Sequence, residues 1–225
     1  AIIQEKGRAT FQRVNYEGAR NLIHAAKEAG VRKFIFMSNI GVSPDPSLSF
    51  LYSKWQGEEE LKNSGLDYII LRSSVLFGRG DRFVLTLADL LRRLPIVPII
   101  GNGRAKFQLI SAQEVARCIA QAAENDSLLG QTLYLAGPEH LSYEDLIDLI
   151  IHALGKKRLK LHIPLPLMRP GVWLMERVLS QPPVTLRQLD MLRLDNITEL
   201  DAVEKAFGFK PTSLRQAIGY INERA

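Results

Sequence analysis

The chain has 225 residues, 46% hydrophobic and 24% charged, which is enough to bury a substantial core and too balanced for a disordered or fibrous protein. A single cysteine, Cys118, excludes a disulfide scaffold or a cysteine-built metal site and fits a reducing, cytoplasmic setting; the four histidines show no ligand spacing, so no metal is expected. The net charge of +5 is spread thin, with 11 Lys/Arg against 8 Asp/Glu in residues 1–80 and 18 against 16 beyond, so no concentrated face for nucleic acid is expected.

No stretch is long and apolar enough to cross a bilayer. The chain opens on Ala1-Ile2-Ile3 without a signal pattern, and a further N-terminal piece is expected.

Taken in chain order, Asn15 is placed to cap a helix in which Leu22, Ala25, Ala26 and Ala29 share a face and which Gly30 ends. Lys33 to Ser38 is a short, nearly continuous apolar run, expected of a strand buried on both faces of a parallel sheet. The unit repeats. Leu51 to Asn63 reads as a helix, Gly65 ends it, and Asp67 to Arg72 is the next buried strand.

Asp81 to Leu94 is amphipathic and helical, whereas Pro95 to Pro98 and Gly101-Asn102-Gly103 read as loop, with a short strand over Lys106 to Ile110. Ser111 and Glu114 have capping-box spacing for a helix reaching Glu124, and Gln131 to Leu135 reads as a strand. Ser142 and Asp145 form the same box for a helix that runs to Leu154 and stops at Gly155. Leu161 to Gly171 carries three prolines without clear periodicity, and helical segments follow at Leu186–Arg193, Thr198–Phe207 and Ser213–Asn222.

The fold class read from this order is α/β: the C-terminal portion of a doubly wound parallel sheet, followed by a smaller, mainly helical region, with a boundary at 137/138. In such sheets ligands sit beyond the carboxyl ends of the strands, which singles out Ser38 and Asn39 after one strand and Arg72, Ser73, Ser74 and Val75 at the end of the next. Lys54, early in the helix between them, projects toward the same rim. Asn15 combines a capping role with a secondary one toward a ligand there, and Arg72, at the end of a buried strand, reads first as a structural ion-pair partner and second as a cofactor contact.

Several runs together resemble the second half of an atypical, extended short-chain dehydrogenase/reductase. They are Val14-Asn15-Tyr16-Glu17-Gly18, Phe36-Met37-Ser38, Ser53-Lys54 with Glu58, and Ser64 through Gly78. Within that superfamily, Phe77 to Phe83, Gly101-Asn102-Gly103 and Phe107-Gln108 are most similar to the nucleotide-binding accessory subunits of respiratory complex I and their bacterial relatives. The resemblance implies a Rossmann domain that binds NAD or NADP through Asn15, Ser38, Asn39, Lys54, Arg72, Ser73, Ser74 and Val75. It also implies a small carbonyl, quinone or sugar-nucleotide as the class of substrate.

Two departures qualify that reading. The glycine-rich strand–turn–helix that would hold the pyrophosphate has no counterpart here. Catalytic members of the superfamily carry Tyr and Lys four apart on one helix, where the cation lowers the phenol pKa for proton transfer. Four residues before Lys54 stands Phe50, and Tyr52, two positions away, lies about 200° around the helix. Lys54, Ser38 and Tyr52 are therefore the catalytic candidates, in a protein expected to hold its nucleotide for structural or sensing purposes. Two alternatives stay open: an active reductase or sugar-nucleotide epimerase, and a non-enzymatic docking subunit of a membrane redox complex. Residues 165–179, apolar with Arg169 and Arg177 alongside, are expected to roof a pocket or to meet a protein partner or a membrane surface. An apolar strand edge at Phe34–Met37 is a further expectation.

Overall fold

The computed structural model describes residues 1–179, 185, 186, 189 and 194–223. The helix expected at Leu186–Arg193 lies largely outside the described residues. Two compact units are formed from interleaved segments: Ala1–Ser73, Glu114–Leu135 and Ala202–Phe209 make the first, and Ser74–Gln113, Ala136–Asp201 and Lys210–Ala225 the second. One crossing, between Leu135 and Ala136, falls beside the 137/138 boundary expected from the sequence, but both units recruit chain from either side of it.

The first unit is a three-stranded parallel sheet in the order β1 (Phe34–Asn39), β2 (Tyr68–Ser73) and, third in space, the strand Thr132–Leu135. Registers align Ser38 with Arg72, Asn39 with Ser73, and Arg72 with Tyr134. Helices α1 (Gly18–Glu28) and α2 (Ser49–Lys62) pack on it. The core is set by Ile23, Leu61 and Ile70, all fully buried. This corrects the expected inner face of α1: Ala19 and Ile23 point inward, and Leu22 is exposed. The start of the helix also differs. Thr10, not Asn15, accepts the capping bond from the Arg13 amide, because a π-helical turn, Phe11–Glu17, precedes α1 and carries Asn15 into the interior.

In α2, Gly57 is required by close packing. A Cβ there would lie 2.9 Å from Phe36 Cζ and 3.5 Å from Ala19 Cβ, so glycine is what lets the helix sit down on the sheet. Among the described residues β1 pairs only with β2, and Phe34 to Met37 are half-buried at that edge rather than covered on both faces.

The second unit gathers α3 (Val84–Arg93), β4 (Ile96–Ile100), the short strands β5 (Lys106–Phe107) and β6 (Ile110–Ser111), α5 (Tyr143–Ala153), β9 (Leu159–Ile163) and α6 (Leu165–Val178). The intervening α4 (Ala112–Glu124) and β7 (Thr132–Leu135) lie mostly in the first unit, β3 is Leu76–Phe77 and β8 is Leu141–Ser142. The core of the second unit includes Phe77, Leu91, Ile99, Leu109, Leu146 and Ile150.

Three sequence expectations are corrected here. Of Pro95–Pro98, expected as loop, Ile96–Pro98 is strand, because β4 pairs in parallel with β9 from Ile96↔Leu159 to Ile100↔Ile163; Pro98 is tolerated since a strand with one neighbour among the described residues needs no donor on its other side. The single strand expected over 106–110 is two short pieces. The proline-rich Leu161–Gly171 becomes a strand and then a helix that contains Pro170. The Ser142–Asp145 capping box is present as expected, with the Asp145 amide donating to Ser142 Oγ at 3.0 Å. At Gly137 a Cβ would stand 2.0 Å from the Leu109 carbonyl oxygen, so only glycine fits between those backbones.

Candidate functional site

At the carboxyl ends of β1 and β2 the first unit places Ser38, Asn39, Arg72 and Ser73 in adjacent registers, and the Ile40 amide extends the ladder to the Ser73 carbonyl at 2.9 Å. Ser38 is 3% exposed, and its Oγ is buried with no hydrogen-bond partner among the described residues. Such hydroxyls are uncommon because an unmade bond at a buried polar atom costs about 1–3 kcal/mol. A ligand polar group at this rim would satisfy it.

Lys54 is buried on α2. Its Nζ donates to the Met37 carbonyl at 2.6 Å and stands 4.6 Å from the centre of the Phe36 ring. Burial pushes its pKa down to about 8, with the carboxylate of Glu58, one turn along, opposing the shift. One turn in the other direction is Phe50, 7% exposed, packed edge-on against Phe11 with centroids 5.5 Å apart. The position four before the lysine is thus filled by a ring inside the aromatic core. Tyr52, half-buried, stacks on Trp55 at 5.7 Å.

Asn15 is buried and spoken for. Its Oδ1 accepts from the Ile2 amide at 2.7 Å, while Nδ2 donates to the Ile2 carbonyl at 3.0 Å and to Ser53 Oγ at 3.3 Å. It acts as a surrogate strand that ties the N-terminal segment down. Arg72 is likewise structural: Nε and a terminal nitrogen donate to the two oxygens of Glu58 at 3.0 and 2.6 Å, and its other terminal nitrogen donates to Tyr134 Oη at 3.0 Å. Glu58 and Tyr134 are the partners missed in the sequence. The Lys54–Glu58 spacing of four was the available signal for the first, whereas Tyr134 is a strand away and carried none.

Ser74 and Val75 belong to the second unit and are held there. Ser74 Oγ donates to the Gln108 carbonyl at 2.6 Å, and the Val75 amide donates to Asn196 Oδ1 at 3.2 Å. The rim gathered by the first unit is therefore Ser38, Asn39, Lys54 and Ser73.

In an open parallel α/β sheet ligands bind beyond the carboxyl ends of the strands, where this sheet carries Ser38, Asn39 and Ser73. Residues 2–126, over half of the chain, match the family described as NAD(P)H-binding, and the chain belongs to that family. It is an NAD(P)-binding domain of Rossmann type. It is 30% identical over 211 residues to the protein named NADH dehydrogenase (ubiquinone) 1 alpha subcomplex subunit 9, mitochondrial, of Rattus norvegicus, covering 91% of this chain and 54% of that protein. The chain thus spans about half the length of such relatives. In fold it is similar to the solved structure of gox2253, with a TM-score of 0.72 at 22% identity over 99% of this chain and 74% of the other. It is also similar to UDP-glucuronic acid 4-epimerase from Bacillus cereus in complex with UDP-glucuronic acid and NAD, with a TM-score of 0.67 at 19% identity over 96% and 70% of the two chains.

Proposed function

We propose that the protein holds NAD(P) as a structural or sensing ligand and does not turn it over. The observation that carries this reading is Phe50, buried against Phe11 at the place from which a phenol would deliver a proton. Lys54 supports it, since its ammonium is bonded to the Met37 carbonyl and has no phenol to activate. Purified protein titrated with NADH and NADPH should quench its fluorescence saturably, yet show no sustained oxidation against a panel of aldehydes, ketones, quinones and UDP-sugars. Steady turnover that disappears in Tyr52→Phe would establish the reductase or epimerase reading instead.

A second role, docking at a partner or membrane surface through 165–179, is favoured by one observation. On α6 only Val172 is buried, whereas Leu167, Trp173, Leu174 and Val178 are exposed beside Arg169 and Arg177, and Arg177 lies 4.0 Å over the Trp173 ring. Among the described residues no helix is long and apolar enough to cross a membrane, so such docking would be peripheral. Co-sedimentation with membranes should fall by roughly tenfold in Trp173→Asp, as expected when a large apolar anchor is replaced by a charge. Unchanged sedimentation removes this role.

A further inference from the structure

The second unit contains a cavity of about 500 Å³ that the nucleotide reading does not use. Its volume lies within the range of small-molecule sites. The walls are apolar, formed by Ile100 at the end of β4, Ala105, and Pro164 and Leu165 where β9 passes into α6. Two polar side chains line it, Asn102 and Tyr143.

Both offer donors. Tyr143 is 6% exposed, its ring leans on Phe107, and its hydroxyl makes no hydrogen bond to any described residue. Burial pushes the phenol up to about 12, so it remains protonated at neutral pH. The Asn102 carbonyl already accepts the Arg104 amide at 3.1 Å, which leaves its NH2 group to donate. In the same turn the Arg104 side chain is exposed and makes no ion pair among the described residues. The acid next along the chain, Glu144, is paired with Lys160 at 2.6 Å and hydrogen-bonded to His162 at 3.1 Å, and Asp195 Oδ1 accepts from the Lys106 amide at 2.9 Å. The cavity therefore presents apolar walls with one phenol and one amide group, and in the turn beside it stands an arginine without an ion pair among the described residues.

We infer that this cavity binds a fatty carboxylate, with the acyl chain against Ile100, Pro164 and Leu165 and the carboxylate taken by Tyr143, Asn102 and Arg104. A polar, many-hydroxyl ligand would set most of its hydroxyls against apolar side chains, with only Asn102 and Tyr143 to pair them. An alkyl chain alone would leave the buried phenol unpaired. The open face continues the apolar outer side of the β4–β9 ribbon, where Ile96, Leu159 and Leu161 are exposed, so a chain longer than the cavity has apolar surface to follow.

The test is calorimetric titration of the protein with laurate and, separately, with dodecanol. Laurate should bind saturably and dodecanol about tenfold more weakly. Leu165→Trp should weaken laurate by about tenfold or more by filling the cavity. Arg104→Ala and the isosteric Tyr143→Phe should each weaken it about fivefold, with NADH binding unchanged in all three. No saturable binding of laurate, equal affinity for dodecanol, or indifference to both Leu165→Trp and Tyr143→Phe overturns the inference. Because NADH is titrated in the same samples, loss of nucleotide binding is read independently.

Discussion

Replacing Arg72 by methionine is expected to destabilise the protein by about 3–5 kcal/mol, the usual cost of leaving one member of a buried ion pair without the other. Glu58 is fully buried, and both of its oxygens are held by Arg72. Removing the guanidinium leaves an anion in the core, with the Lys54 ammonium one turn away to offset it in part. The same substitution also frees Tyr134 Oη of its donor. The double variant Glu58→Gln/Arg72→Met removes both charges and should recover more than half of the loss, since the penalty comes chiefly from the orphaned carboxylate. Urea denaturation of the wild type, both singles and the double measures the coupling. Additive losses would show that the pair is not coupled and that Arg72 matters for some other reason.

Stability should also rise with pH in a way that Lys54 controls. Its pKa is about 8 in the folded protein against 10.5 for the ordinary side chain. Between those values the unfolded chain binds more protons than the folded one, so raising the pH favours folding; below about 8 both states are protonated and the full burial penalty applies. At 1.36 kcal/mol per pKa unit the penalty relieved across this window is roughly 3 kcal/mol. Lys54→Met keeps the stem and removes the titration. The wild type should therefore gain on the variant by roughly 3 kcal/mol between pH 7 and 10.5. Other lysines and tyrosines titrate in the same range, so the quantity to measure is the difference between the two stability curves. Parallel curves would mean that Lys54 is not desolvated in solution. Saturating NADH should flatten the wild-type slope if ribose oxygens replace the Met37 carbonyl as partner of the ammonium.

Much of the nucleotide half was readable without coordinates. The runs Phe34–Ser38 and Tyr68–Arg72 are apolar, short and separated by a helix, and that pattern suffices to make parallel strands and to place Ser38, Asn39 and Ser73 at their carboxyl ends. The spacing of Phe50 and Lys54 on one helix follows from 3.6 residues per turn and puts a phenyl ring where the resemblance implies a phenol. Local geometry decides such features, so the linear sequence carries them.

What it did not carry depends on residues far apart in the chain. Asn15 has the spacing of a helix cap, yet Ile2 and Ser53 take it into the interior. Arg72 reads from the sequence as an ion-pair partner or a cofactor contact, and its partners, Glu58 and Tyr134, are named only by the fold. Pro95–Pro98 has loop composition and becomes a strand only because β9, some sixty residues later, pairs with it. The cavity by Tyr143 exists for the same reason: Ile100 and Leu165 meet only after that pairing has formed. Composition and period determined the parallel sheet and which residues stand at the carboxyl ends of its strands, and the resemblance supplied the dinucleotide. Long-range pairing alone decided which polar groups on that rim are already bonded and which remain for a ligand, because a hydrogen bond is specified by where two distant segments meet, not by either one.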